Sequence, residues 1–333
     1  MRVAVLSGGR SSEHEISLVS GATVAEGLRE AGHEVLEVLL DREGGWSFDG
    51  SAVELLPGGG LLGADAVFPV LHGPYGEDGT VQGLLELLDV PYVGSGVAAS
   101  AICVDKIRFK QAAGAAGLPQ VAWAGLVEDE TPERRARALG QVEALGYPVF
   151  VKPARLGSSV GIVRVAGPDE LEPALATAFS HDPRVIVEAA SPGLEVEVAV
   201  LGPTRAPEAS VPGEIVVKAS ESPGGWYDFA AKYAEGGAEL VVPARISEQA
   251  AARLREEACS AFTDIGCSGL ARVDFFVEGE QVLINEINTI PGFTPTSVYS
   301  VLWEAGGIAY PDLVNRLVEI AVADQDDRRR HRF

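Results

Sequence analysis

The chain has 333 residues, with Lys+Arg 26 against Asp+Glu 48 and a formal net charge of -22; it is too long for one ordinary domain and suits two or three. With 47% hydrophobic and 22% charged residues, it can bury sizeable cores rather than remain disordered. The acidic balance argues against nucleic acid or an anionic membrane surface as the main partner, because either would repel the average field of the chain.

Residues 3–6 form an apolar run that reads as a short buried strand, too brief for a signal-peptide core. A Gly/Ser loop follows, then Ile16, Val19, Val24 and Leu28 at helical spacing, Gly32 as a stop, and a second apolar run over 35–40. A second β-α-β unit leads from a strand over 64–71 through the loop 72–79 to a helical stripe of Val81, Leu84, Leu85 and Leu88. Strands alternating with helices predict a doubly wound, Rossmann-like parallel sheet whose ligand crevice lies at the carboxyl ends of its strands.

From residue 97 the spacing predicts one long Ala-rich helix through Lys106 and Phe109 to Gly117, then a strand over 121–127 and a helix opened by Pro132. Strands over 147–152 and 161–165 and a helix over 169–179 complete a compact α+β module. Beyond it come strands over 195–201 and 214–217, a polar loop over 218–237, and a helix over 247–265 with Leu254, Ala258, Ala261, Phe262 and Ile265 on one face. Strands over 270–277 and 282–287 flank the turn Glu278-Gly279-Glu280, and a last helix covers 310–323. The run of aspartates and arginines in the tail, 325–333, predicts a solvated, disordered end. The expected domains are 1–105, 106–190 and 191–324. No stretch approaches the ~18 to 20 apolar residues of a membrane span. Cys103, Cys259 and Cys267 form no CxxC pair, so a reduced, cytoplasmic protein is expected.

Three clusters could carry chemistry. Gly157-Ser158-Ser159-Val160-Gly161 follows a strand ending Val151-Lys152-Pro153. Glycines let backbone amides approach phosphate oxygens, serine hydroxyls add donors, and Lys152 supplies a point charge. No GK[ST] follows, and a plain Gly/Ser hairpin would read the same way. Arg272-Val273-Asp274 and Asn285-Glu286-Ile287-Asn288 lie on consecutive strands. Side chains alternate along strands, so Arg272 and Asp274 share a face, as do Glu286 and Asn288. Two carboxylates and an amide oxygen suit Mg²⁺, although an exposed polar face balanced by Arg272 would look similar. At the first strand-to-helix turn, Gly8-Gly9-Arg10-Ser11-Ser12-Glu13-His14-Glu15 crowds carboxylates at a helix start. They serve either as helix-dipole partners or as acceptors of a substrate ammonium. His72 opens a further loop at a strand's carboxyl end, where functional residues concentrate.

Together these segments resemble the ATP-grasp superfamily and, within it, the D-alanine–D-alanine ligase family. The carriers are GGRSSEHEISLVSG (8–21), HGPYGEDGTVQGLLE (72–86), DKIRFK (105–110), KPARLGSSVG (152–161), YDFAAKY (227–233), ARVDFF (271–276) and NEINTIPGFTPTS (285–297). The resemblance implies an N-terminal α/β domain followed by a two-domain ATP-grasp, with ATP held between the central and C-terminal domains. It implies that Lys106, Lys152 and Ser159 contact phosphates, that Lys232 reaches the terminal one, that Glu188 receives the adenine amino group and that Glu195 receives the ribose hydroxyls. Asp274, Glu286 and Asn288 would hold two Mg²⁺ or Mn²⁺ ions. Glu15 would bind the ammonium of a first D-alanine, with His72 near its carboxylate, and Ser297 the carboxylate of a second. Arg272 and the Gly292 amide would form an oxyanion site, and Ser158 and Tyr233 would link with Glu15 to close the 218–237 loop. The reaction implied is ATP-dependent dipeptide formation through an acyl phosphate, for peptidoglycan precursor synthesis, by a cytoplasmic homodimer.

Glu188 is followed by Ala189-Ala190, and Ile290 and Pro295 occupy the second-substrate loop, where the family's usual residues differ. In the family that the chain resembles, a tyrosine at the position of Tyr233 goes with the dipeptide, so the resemblance implies that product rather than a depsipeptide made from D-lactate. Intact acidic and basic positions disfavour a non-catalytic nucleotide-binding module, and Gly8-Gly9 without GxGxxG disfavours a dehydrogenase.

Overall fold

Five strands, β1 (Arg2–Gly8), β2 (Glu34–Leu40), β3 (Trp46–Phe48), β4 (Ser51–Ala52) and β5 (Ala66–Pro69), make the first sheet in the order β4-β3-β2-β1-β5. The computed structural model describes residues 1–157, 160–217 and 238–331. β1 runs parallel to both β2 and β5 and is covered on both faces. Val3 and Val5 share a core with Val24 and Leu28 of α1 (His14–Glu30) and with Leu313 and Leu317 of the helix Tyr310–Arg329. Ala4 and Leu6 share another with Val81 and Leu85 of α2 (Thr80–Leu87). This double burial is why 3–6 reads as an unbroken apolar run. The sheet is not wholly parallel, because β3 returns antiparallel to β2. Asp41 Oδ1 turns the chain by accepting the N–H groups of Glu43 (2.9 Å) and Gly45 (2.7 Å).

The stretch expected as one helix from 97 to 117 is two, α3 (Val97–Val104) and α4 (Lys106–Ala115). Asp105 adopts extended backbone between them and N-caps α4, accepting the Arg108 N–H at 3.1 Å. This break gives Lys106 the first position of a new helix.

The second sheet has the order β6-β9-β7-β8, from β6 (Trp123–Val127), β7 (Val149–Pro153), β8 (Val163–Val165) and β9 (Arg184–Ala189), all antiparallel. Val149, Val151 and Val187 share a core with α5 (Pro132–Leu145) and α6 (Leu171–Phe179). Alternation therefore turns Phe150, Lys152 and Glu188 to the opposite face.

The third sheet contains β10 (Leu194–Gly202), β11 (Glu208–Ala209), β12 (Gly213–Val217), β13 (Ala238–Val241), β14 (Gly269–Glu278) and β15 (Gln281–Asn288). Its path is β13-β12-β10-β14-β15, with β11 beside β10. On β14, Ala271, Val273, Phe275 and Val277 enter the core under the helix Glu248–Ile265, so Arg272, Asp274 and Phe276 face away. On β15, Val282 and Ile284 enter that core and so does Ile287, a change of parity that simple alternation does not allow. The pairing supplies the reason: Asp274 lies opposite Glu286 but Phe275 opposite Ile284, leaving Asn285 as the extra residue of a bulge. Without it, Glu286 would share the face of Ile284 and point inward. The bulge re-aims the acidic end of the strand to the side of Asp274.

The tail expected to be disordered is helical as far as Arg329. Arg329 donates to the Asp89 carbonyl and pairs with its carboxylate at 3.0 Å, and Arg328 lies over the Tyr92 ring and near Glu86. These partners of the N-terminal domain extend the helix past Ala323. No helix among the described residues is long and apolar enough to cross a membrane.

Candidate active site

Two adjoining hollows lie where the sheets meet. The larger, about 730 Å³, is lined by Phe150, Lys152, Glu188, Glu195, Phe276 and Asn285, among others. The smaller, about 160 Å³, is lined by Glu13, His72, Glu77, Arg272, Asn288 and Gly292. Lys106, Leu156, Gly157 and Glu286 line both, so the two communicate there.

In the larger cleft, Lys106 Nζ donates to the Leu156 carbonyl at 2.8 Å and stands 3.6 Å from Glu286 Oε2. Lys152 Nζ lies 2.5 Å from Glu188 Oε2. Burial by itself lowers the Lys152 ammonium, but Glu188, Glu286 and Glu195 outweigh it and hold the group above its ordinary value. Lys152 therefore stays charged in a site whose burial would otherwise favour its neutral form. Glu195 lines the cleft at the start of β10.

Glu188 lines the cleft but is only 3% exposed, its carboxylate held by two ammoniums, Lys152 on Oε2 and Lys110 at 3.1 Å on Oε1. Burial raises its pKa, but Lys110 and Lys152 overcome that and hold it at about 2. A carboxyl depressed below its usual 4.5 stabilises the fold above that value and loses the contribution as pH falls through the window down to about 2. The melting temperature should therefore drop between about pH 5 and 3, and drop less in Glu188→Gln. Thermal melts across that range check this, and parallel curves for the two proteins would remove Glu188 as the cause.

In the smaller pocket the acidic helix start divides by position. Glu15 is in the first turn of α1, its side chain 75% exposed and 2.8 Å from Arg42. Its expected contact with a substrate ammonium is corrected by this placement: it points to solvent. The residue facing the pocket is Glu13, just before the helix. Its carboxylate packs against Gly73, so tightly that a Cβ there would stand 2.8 Å from Oε2. The loops are stitched together by Ser11 Oγ, which donates to the His72 carbonyl at 2.6 Å and accepts the Glu13 N–H at 3.1 Å. His72 is 4% exposed, with Nδ1 3.2 Å from the Ile290 carbonyl and 3.6 Å from Glu77 Oε1. Burial lowers its pKa, yet Glu77, Glu13 and the Ile290 carbonyl raise it further, favouring the cation.

Arg272 Nε and Nη2 donate to the two Asp274 oxygens at 2.7 Å each, and Nε lies 3.1 Å from Glu197. Gly292 lines the pocket and neighbours Ser297 Oγ, which would be 3.2 Å from a Cβ at 292. That hydroxyl accepts the Thr294 N–H at 3.0 Å, holding the loop that carries both. Ser158, Ser159, Lys232 and Tyr233 lie outside the described residues.

Asp274 and Glu286 are register partners, and Asn288 Nδ2 donates to Asp274 Oδ2 at 3.2 Å. Among the described residues no group of three or more His, Cys, Asp and Glu side chains could hold a metal. Two carboxylates and an amide fit Mg²⁺ nonetheless, since it keeps several waters and completes its shell with substrate phosphates rather than with a protein cage. Glu13, Glu77, Glu197 and Lys110 are the residues sequence reasoning left unassigned. Glu13, Glu77 and Lys110 lie inside the family-like motifs, and only the third dimension separates Glu13 from Glu15.

The arrangement has relatives. A model of the D-ala D-ala ligase C-terminus matches residues 113–319, and one of the D-ala D-ala ligase N-terminus matches 2–60 and 58–95. The chain is 45% identical to a D-alanine–D-alanine ligase of Deinococcus radiodurans, over 97% of this chain and 99% of that one. It is 47% identical to one of Mycolicibacterium smegmatis, over 97% and 95%. Among solved structures, the D-alanine-D-alanine ligase from Coxiella burnetii superposes with a TM-score of 0.86 at 35% identity, covering 99% of this chain and 96% of that one. A D-Ala:D-Ser ligase from Enterococcus faecalis gives 0.85 at 33%, covering 96% and 99%. The α/β unit followed by an ATP-grasp pair is the fold these structures share with it. With both terminal regions matched, and relatives aligned over nearly its whole length, the chain belongs to the D-alanine–D-alanine ligase family.

Proposed function

We propose that the chain joins two D-alanine molecules to D-alanyl-D-alanine with cleavage of ATP to ADP and phosphate, the dipeptide serving peptidoglycan precursor synthesis. The observation that carries the reading is the junction of two compartments at Lys106 and Glu286: a cation-lined cleft large enough for a nucleotide, opening onto a small pocket of opposed charges.

The small pocket suits a zwitterion. Glu13 receives the ammonium of the first D-alanine, and His72, favoured as a cation, lies on the side of its carboxylate. A carboxylate oxygen bonds to the γ-phosphorus while the bond to the bridging oxygen breaks and ADP leaves with the electron pair. Lys106 and Lys152 meet the phosphate charge. Asp274, Glu286 and Asn288 would hold two Mg²⁺ or Mn²⁺ ions, which neutralise phosphate charge when bound. The amine of the second D-alanine, its proton lost, then attacks the acyl carbon. Arg272 and the Gly292 N–H receive the tetrahedral oxyanion, and phosphate departs as the carbonyl re-forms. Ser297 faces the second carboxylate. Little covalent chemistry falls to the chain, so its contribution is positioning and charge.

Phosphate release from ATP with Mg²⁺, measured against D-alanine, D-serine, D-lactate and L-alanine, tests this. D-alanine-dependent release with one dipeptide formed per ADP is expected. Release independent of any D-amino acid would sink the reading, and a predominant depsipeptide or D-Ala-D-Ser product would change the second substrate.

A further inference from the structure

Of the three described lysines, Lys106 and Lys152 line the nucleotide-sized cleft and Lys110 lines neither hollow. Lys110 is 1% exposed, one helical turn after Lys106 on α4. An ammonium in such a place costs the fold dearly unless it is paired and hydrogen-bonded. Its partners come from both ATP-grasp sheets. Glu188 Oε1 of β9 lies at 3.1 Å, and the Ile284 carbonyl of β15 accepts at 3.3 Å. Each partner is one step from the chemistry. Glu188 gives its other oxygen to Lys152. Ile284 immediately precedes the bulge that aims Glu286 into the cleft.

We infer that Lys110 is a positioning residue for nucleotide binding, dividing Glu188 between two cations so that Lys152 keeps charge for the phosphates. The inference rests on reading the cleft as the nucleotide site. A Lys–Glu pair alone is neutral and self-satisfied; a Lys–Glu–Lys triad carries one positive charge more than that pair, and its outer member faces the cleft. Glu195 and Glu286 also act on Lys152. They do so with or without Lys110, so a comparison at position 110 isolates its effect. Methionine at 110 fills a similar volume without charge. It leaves Glu188 to Lys152 alone and draws that ammonium into a closed pair.

Calorimetric titration of Mg²⁺·ADP and of adenosine into wild type, Lys110→Met and Lys110→Met/Glu188→Gln tests the inference. Lys110→Met should weaken ADP by about tenfold or more, leaving adenosine affinity and the KM for D-alanine within about twofold. Adding Glu188→Gln should restore ADP to within about threefold of wild type, the signature of coupled residues in a double-mutant cycle. Equal weakening of ADP and adenosine, unchanged ADP affinity, or a double variant no better than the single would each overturn it. If Lys110→Met does not accumulate folded, the double variant decides, because its one remaining ammonium gives the same net charge as the wild-type triad; ADP binding as weak as in Lys152→Met overturns the inference. A wild type that binds ADP no better than adenosine would remove the reading of the cleft, and the role of Lys110 with it.

Discussion

Glu13→Gln is expected to lower kcat/KM for D-alanine by ~10² to 10³-fold, the loss that follows from truncating one partner of a desolvated charge pair. Glu15→Gln should leave it within about twofold, since an exposed ion pair contributes 0 to ~1 kcal/mol. The contrast is sharp because the two residues are chemically alike and two positions apart. Glu15 sits in the first turn of α1 and meets Arg42 with both side chains more than half exposed. Glu13 is held before the helix by the Ser11 hydroxyl and packs against Gly73 and beside His72. Gly73 has φ +76, and any side chain there would press on the Glu13 carboxylate. The KM for ATP should not move in Glu13→Gln, because Glu13 borders the small pocket and not the larger cleft. Steady-state kinetics with each substrate varied in turn decides the matter. A Glu15→Gln enzyme as impaired as Glu13→Gln would return the ammonium site to Glu15.

The sequence made the chemistry of this pair visible without saying which member performs it. A strand-to-helix turn rich in carboxylates can be read locally, but the residue that faces the crevice depends on where the helix begins, and neither Ser nor Asp stands at the cap to mark it. Composition and period did place the structural frame. The continuous apolar run of β1 announced a strand buried on both faces, and alternation on β14 correctly set Arg272 with Asp274. Alternation on β15 predicted the right pairing for an incomplete reason. Glu286 and Asn288 do share a face, yet that face is opposite to Ile287 and also to Ile284 only because of the bulge at Asn285. No local pattern reports such a shift of register. Two further features depend on partners distant in sequence. Arg328 and Arg329 look like a solvated tail until Glu86, Asp89 and Tyr92 are brought beside them. Nothing local marks Lys110 as buried, since Glu188 and Ile284, which enclose it, lie far along the chain.

Arg272→Lys should reduce kcat by ~10² to 10³-fold, as removal of an oxyanion donor does, with the KM for ATP nearly unchanged. The lysine variant is the informative one. Arg272 neutralises Asp274 and Glu197, which are 9% and 6% exposed, so an alanine would leave buried carboxylates uncompensated at a cost of about 3 to 5 kcal/mol. That would confound turnover with folding. Lysine keeps the charge but replaces a planar fork of five donors with a single rotating ammonium. In the native pocket, Asp274 holds two donors of the fork through paired 2.7 Å bonds, which fixes the plane of a guanidinium that lines the same pocket as Gly292. An ammonium bound to Asp274 has no such plane to fix. Burial lowers the tendency of Arg272 to hold its proton, but Asp274 and Glu197 more than reverse this, so the guanidinium stays charged at every working pH. A loss in Arg272→Lys that is constant across pH 6 to 8, with a melting temperature close to wild type, would therefore report lost geometry rather than lost charge. Turnover within about fivefold of wild type, well short of the expected loss, would take Arg272 out of the oxyanion role and leave it as the counter-ion of Asp274 and Glu197.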